Sequence, residues 1–142
     1  MADTVTSALV AQTKTHYAIH LTGISDGGGE SDITKIDKST LTDFNNVEPA
    51  ALDLDQIWWA VQGYASIVLK WQHTSDVTMV ALPAGIGYLD FRCHAEMGLG
   101  LYESGGLKDS GTGSTGDVRL TSNGATSTST YDIFAIFKKR IA

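Results

Sequence analysis

Apolar positions in this chain fall in short runs of two-residue period, with no sustained 3.6-residue stripe. Over His16–Thr22, Tyr17, Ile19 and Leu21 alternate with His16, Ala18, His20 and Thr22, the pattern of a half-buried strand. It ends at Asp26-Gly27-Gly28-Gly29-Glu30, a strong turn signal, and Ser31–Asp37 follows as the second arm of a hairpin. Ser39–Asp55 is less regular. Thr40-Leu41-Thr42-Asp43 resembles a helix-capping start, but no long apolar stripe follows it, which predicts a loop with at most one or two helical turns. Gln56–Gln62 and Ala65–Gln72, split by Gly63-Tyr64, are dense in β-branched and aromatic residues and read as two central strands covered on both faces. Asp76–Leu82 and Gly85–Arg92 predict a hairpin turning at Pro83-Ala84-Gly85. The alternation fades over the Gly-rich stretch His94–Gly116 and returns in Asp117–Ser122 and Ser129–Lys139.

About eight short strands with little helix predict an all-β fold: an antiparallel, jelly-roll-like β-sandwich with long Gly-rich loops. Residues 1–10 hold one short alternating stretch, Thr4–Ser7, and read as an N-terminal arm or edge strand. Residues 11–142 read as a single β domain. A chain of 142 residues has the length of one domain and can bury about two-thirds of its unfolded surface without staples.

Charge narrows the partners. Ten basic against sixteen acidic residues leave a net charge of −6, which speaks against a surface built for nucleic acid. Lys138-Lys139-Arg140 is a small basic end, read as a solvated tail or a salt-bridging contact. One cysteine, Cys93, gives no intramolecular disulfide, and four scattered histidines give no zinc spacing. The start MADTVTSALV lacks a basic n-region and a long apolar core, and no apolar run approaches the length that crosses a bilayer. These features predict a soluble protein made in a reducing cytoplasm, with no membrane partner.

Candidate chemistry is sparse. His16 and His20 lie four apart on a strand, about 13 Å, too far to share one metal ion. Cys93 and His94 are adjacent, so on a strand they point to opposite faces. Gly111-Thr112-Gly113-Ser114-Thr115-Gly116 matches GxGxxG, but the motif binds a pyrophosphate only between a strand and a helix, and here a strand follows. Asp26–Asp32 and Asp53-Leu54-Asp55 offer oxygens without the alternating spacing of a calcium loop. No catalytic residue, cofactor or metal is predicted. The tryptophans carry more. Alternation groups Ile57, Trp59 and Val61 on one face and Trp58 with Ala60 on the other. Trp59 and Trp71 read as core. Trp58 reads either as core or as an aromatic available for a subunit contact or a sugar platform.

Several stretches together resemble small virion structural proteins of tailed bacteriophages. They are Met1–Ser7, the turn Ile24–Ser31, the hydrophobic-aromatic stretch Leu82–Arg92, Gly113–Thr121 with Thr115-Gly116-Asp117 at its core, and Thr130–Lys139. The resemblance implies a particle component of the capsid decoration, or cement, type and carries no catalytic residues. It leaves a tail protein or a carbohydrate-binding β-sandwich module as the alternative. On the first reading the protein sits on the capsid exterior, binds the major capsid protein and forms a homo-oligomer, taken as a trimer. Oligomerisation is expected to bury apolar surface around Trp58, and the arm Met1–Val10 and the long loop His94–Gly116 to make contacts: Val5, Trp58, Leu99, Leu101 and Tyr102 are the candidate interface residues.

Overall fold

A computed structural model describes residues 4–43, 45–91 and 115–140. They form seven β-strands: β1 (Thr4–Gln12), β2 (His16–Ile24), β3 (Ile33–Ile36), β4 (Ala51–Trp71), β5 (Val77–Asp90), β6 (Val118–Asn123) and β7 (Thr130–Arg140). A single 3₁₀ turn, Lys38–Thr40, is the one helical element among the described residues. Asp37 caps it, its carboxylate accepting from the Ser39 N–H. The predicted capping start at Thr40 is thereby corrected: the turn begins three residues earlier, where an Asp supplies the acceptor.

The fold is all-β and antiparallel, a sheet nearly closed into a barrel. Its strand order is β1-β2-β7-β4-β6-β3, with β5 paired to β4 off that path. Strand β4 organises it. Residues 56–61 pair with β5 on one edge and β7 on the other, while 66–71 pair with β5 and β6. Thus β7 and β6 occupy one edge of β4 in succession. A straight strand of this length would span about 65 Å. Yet the Trp71 indole N–H donates to the Leu52 carbonyl at 2.9 Å, so β4 folds back until its two ends touch.

The bend lies at Gly63. Its φ is +84°, and a Cβ there would stand 2.7 Å from Ser129 Oγ and 3.0 Å from Ser129 Cα. Both the backbone conformation and the close approach exclude a side chain. Beside it, β5 bends at Pro83 and Gly85, where the β4–β5 register breaks between Val61 and Ser66. This corrects two expectations. Gln56–Gln62 and Ala65–Gln72 are one continuous strand, and so are Asp76–Leu82 and Gly85–Arg92, as far as residue 90. The hairpin turn falls at residues 72–76, between β4 and β5. Among the described residues β5 is paired on one side only, and Pro83 stands at the β4–β5 register shift, a position where a strand tolerates proline. Merging these pairs, and adding β1, gives seven strands in place of eight.

Folding β4 makes two layers from one sheet. The larger holds β1, β2, β7 and the first parts of the β4–β5 ladder; the smaller holds β3, β6 and the remainder. Their facing sides share one hydrophobic cluster. It includes Ile19, Leu21, Leu54, Ile57, Ile133 and Phe137 from the first, and Ile36, Ile67, Leu69, Leu82, Val118 and Leu120 from the second. Trp71 is in that core and Trp59 packs against it, half-buried. Trp59 lies over its cross-strand partner Gly87, where a Cβ would come within 2.1 Å of the indole, an aromatic covering a strand glycine. The expectation that the two tryptophan-rich runs are covered on both faces is corrected: within them only Gln56 and Ile57 are buried in succession, continuing the wholly buried Ala51–Asp55 that precedes them.

Inaccessible ammonium groups stand at the rim. Lys35 pairs with Glu30 at 2.5 Å, both side chains nearly inaccessible, and Glu30 also accepts from the Tyr131 hydroxyl at 2.6 Å. Lys139 donates to Gln12 Oε1, the Thr13 carbonyl and the Thr42 carbonyl. Burial, and then the nearby Lys14 ammonium, push the Lys139 ammonium below its ordinary pKa. The solvated tail expected over Lys138–Arg140 is therefore corrected at Lys139, which is buried. Arg140 makes the salt-bridging contact, to Asp53 at 2.6 Å.

Candidate functional site: an aromatic row on an open sheet face

The inner side of the larger layer is core. Its outer side has no covering layer among the described residues. Register fixes what stands there. His20 pairs with Phe134, Phe134 with Trp58, and Trp58 with Tyr88. Directly opposed residues share a face, so these four side chains form one row across β2, β7, β4 and β5. The next row is Thr22, Asp132, Ala60 and Ile86, and the row on the other side includes Ile136, Gln56 and Asp90.

Trp58 is the centre of the row. Tyr88 stacks on it at 4.8 Å between centroids and 28° between planes, and Phe134 meets it at 5.4 Å and 57°. Strands β5 and β7 flank β4 on opposite edges, so the two rings hold the indole from two sides. Trp58 nonetheless remains 37% exposed. That exposure answers one of the readings left open by the sequence. Trp58 is not core. Held between two rings, the indole is preordered for whatever it contacts.

Polar groups surround the row. The Tyr88 hydroxyl accepts from Gln56 Nε2 at 2.8 Å and donates to Asp90 at 3.1 Å. His20 Nε2 lies 2.6 Å from Asp132 Oδ1. Ile86, in the adjoining row, is 90% exposed. Between it and β1 runs a groove of about 630 Å³, lined among others by Thr4, Thr6, Thr22, Ala60 and Asp132. Small side chains make its floor. An apolar row, an exposed isoleucine and a groove with a polar border have the composition of an interface centre and rim.

Other candidates resolve differently. Val5 lies on β1 opposite Gly23, 40% exposed, about three strands away from Trp58, and does not join the row. Leu99, Leu101 and Tyr102 lie outside the described residues, as do Cys93, His94 and the first four residues of the GxGxxG match. The rest of that match leads through Thr115, whose N–H donates to the Gln72 carbonyl, directly to β6. In the acidic turn, Asp26 accepts from the Gly28 N–H, Glu30 is locked by Lys35, and Asp32 binds Lys70 and Thr121. Asp53 pairs with Arg140 and Asp55 with His16. No group of three or more His, Cys, Asp or Glu among the described residues could hold a metal ion. A second concavity of about 390 Å³ is lined by Lys14, Lys139, Thr13, Thr40 and Thr42. It has the look of an anion site, but all three Lys139 protons already meet protein oxygens.

Tyr88, Phe134, His20 and Ile86 were not among the expected site residues. Alternation gives each residue's side of its own strand, but only the register sets them beside Trp58. No family model, curated protein or solved structure matches this chain.

Proposed function

We propose that this protein is a virion structural protein of a tailed bacteriophage. It acts as a capsid decoration, or cement, protein, made in the host cytoplasm and seated on the exterior of the assembled shell. The observation that carries this reading is the open face of the larger layer, where Trp58 is held between Tyr88 and Phe134 beside the exposed Ile86. Preformed aromatic anchors bind with little ordering cost. Repetition over a symmetric lattice of major capsid protein lets modest contacts sum to tight attachment. The net charge of −6 suits a position away from packaged DNA. In this reading the near-closed sheet is the jelly-roll-like body, homo-oligomers, trimers among them, form on the lattice, and the protein binds rather than catalyses.

The test is rebinding. Shells assembled without the chain should take up the purified protein to a fixed copy number. The double variant Trp58→Ser, Ile86→Ser should bind about 30-fold more weakly, the loss expected for truncating a hot spot. Shells that leave the protein in solution, or that bind the variant equally well, would refute the proposal.

A carbohydrate-binding module, placed on a tail, has one observation in its favour. Tyr88 sits on the outermost strand, beside Gln56 and Asp90, which supply a donor and an acceptor. It predicts retention on host polysaccharide, lost in Tyr88→Ala; silence on a panel of host glycans removes it.

A further inference from the structure

The described residues contain three strands with a free edge: β1, β3 and β5. An unpaired edge is a template for another strand, and proteins block it with charge, proline or brevity. Strand β3 is four residues long and carries Lys35. Strand β5 carries Pro83 and ends in Asp90. Strand β1, Thr-Val-Thr-Ser-Ala-Leu-Val-Ala-Gln, has nine residues and none of these devices beyond one register shift, between Leu9 and Ala11.

Its side chains are as unusual as its edge. Val5, Ser7 and Leu9 oppose Gly23, Leu21 and Ile19 of β2 and therefore face the core side. They are nonetheless exposed, Leu9 at 54%. The core stops under β2, and β1 overhangs it.

From these features we infer that β1 pairs antiparallel with β1 of a second copy of this chain, joining two larger layers into one continuous sheet. Three arguments select this occupant. In a chain with sixteen acidic residues, Thr4–Thr13 contains no charge, so two like-charged copies can approach along it without repulsion. The strand is also self-complementary. A two-fold axis through a continuous sheet keeps faces matched, so each residue must meet one of its own parity. The regular ladder ends at Leu9. Centring the axis on Ser7 sets Val5 against Leu9 of the second copy, Thr6 against Ala8, and Ser7 against itself. That register covers the overhanging apolar side chains of both copies with each other. Centring on Thr6 sets Val5 against Ser7 and leaves Leu9 uncovered. Last, an isologous contact closes after two copies and leaves no β1 edge for further growth. The contact is a strip about 20–25 Å long, smaller than the roughly 1,200 Å² of a permanent interface, so the dimer forms with rising protein concentration. The inference does not rest on the capsid reading. A chain that dimerises through β1 and ignores shells refutes that reading alone.

The test is a crosslink at the axis. Directly opposed residues in an antiparallel pair have Cα atoms about 4.5–5.5 Å apart, inside the range a disulfide spans. In a Cys93→Ser background, Ser7→Cys should oxidise to a covalent dimer. It should do so about a hundred-fold faster than Ser127→Cys, an exposed control on the β6–β7 turn, because pairing raises the effective thiol concentration towards millimolar. Sedimentation velocity should show a concentration-dependent dimer. Val5→Lys should abolish it without moving the urea midpoint of the monomer, since the side chain touches no core. A Ser7→Cys chain that crosslinks no faster than the control overturns the inference. So does a trimer of the free protein in solution, a dimer that survives Val5→Lys, or a β1 protected from hydrogen exchange only on shells.

Discussion

Strands β1 and β2 lie side by side in one antiparallel ladder, and each is nine residues long. In β2, Ile19 and Leu21 are among the most buried residues in the protein; in β1, every residue is exposed. Leu9 and Ile19 are direct cross-strand partners with opposite environments. The backbone ladder is common to both strands, so it does not account for the difference. What differs is the layer beneath. The smaller layer lies under β2 and stops before β1, leaving one strand as core and its neighbour as an edge. Period-two alternation therefore reports pleat, and burial is decided by what faces the pleat.

The largest effect expected on the anchored side comes from the Glu30–Lys35 pair, which ties the chain after β2 to β3 and β7. Lys35→Ala leaves a buried carboxylate held by Tyr131 alone and should cost about 3–5 kcal/mol, read from urea unfolding. Next comes the direct contrast across the ladder. Ile19→Ala should cost about 2–5 kcal/mol, whereas Leu9→Ala in the monomer should stay within about 0.5 kcal/mol. Equal costs would mean that β1 is covered in solution and would break the comparison.

Trp71→Phe probes the fold-back that makes two layers from one sheet. It keeps most of the ring and strands the buried Leu52 carbonyl, so a loss of about 1–3 kcal/mol is expected in thermal or urea melts. The smallest effect is electrostatic. Hydrogen bonds from Lys70 and Thr121 hold the exposed Asp32 carboxyl below its ordinary pKa. Its contribution to stability is present above the usual carboxylate range and is lost as the pH falls through the depressed value. Wild type and Asp32→Asn should thus differ slightly near neutral pH and converge in strong acid, in urea midpoints followed against pH.

Much of the architecture was legible in the chain. Strands β2, β6 and β7 begin and end within two residues of the alternating runs that announced them. The all-β class followed from the same runs. The failures cluster at bends. Pro83 and Gly85 look like a turn because they are turn residues, but a register shift on an edge strand also accommodates proline. Gly63-Tyr64 looks like a break. It is a corner inside one strand, where Gly63 turns the backbone and Tyr64 is buried against Tyr131. Local sequence cannot separate a corner from a hairpin, because both need the same backbone freedom. Strand β1 showed alternation only over Thr4–Ser7, and the uniformly small or apolar Ala8–Ala11 hid its extension to Gln12.

The candidate site was half legible for the same reason. Trp58 stood out through its side of the strand and its neighbour Trp59, with which it shares chemistry but not a face. Phe134 and Tyr88 are also outward on their own strands, yet each reads as an ordinary hydrophobic position. Pairings across 76 and 114 residues of sequence set three of the four row members together. Register across such separations is specified by the whole core rather than by any local motif.

The central claim is that the open face of the larger layer docks on a virion shell. A reconstruction of the intact particle tests it most directly. The account predicts density for this chain on the outer capsid surface, with Trp58, Tyr88 and Ile86 against subunits of the shell. A particle without the chain, or one in which that row faces solvent while another surface makes the attachment, would contradict it.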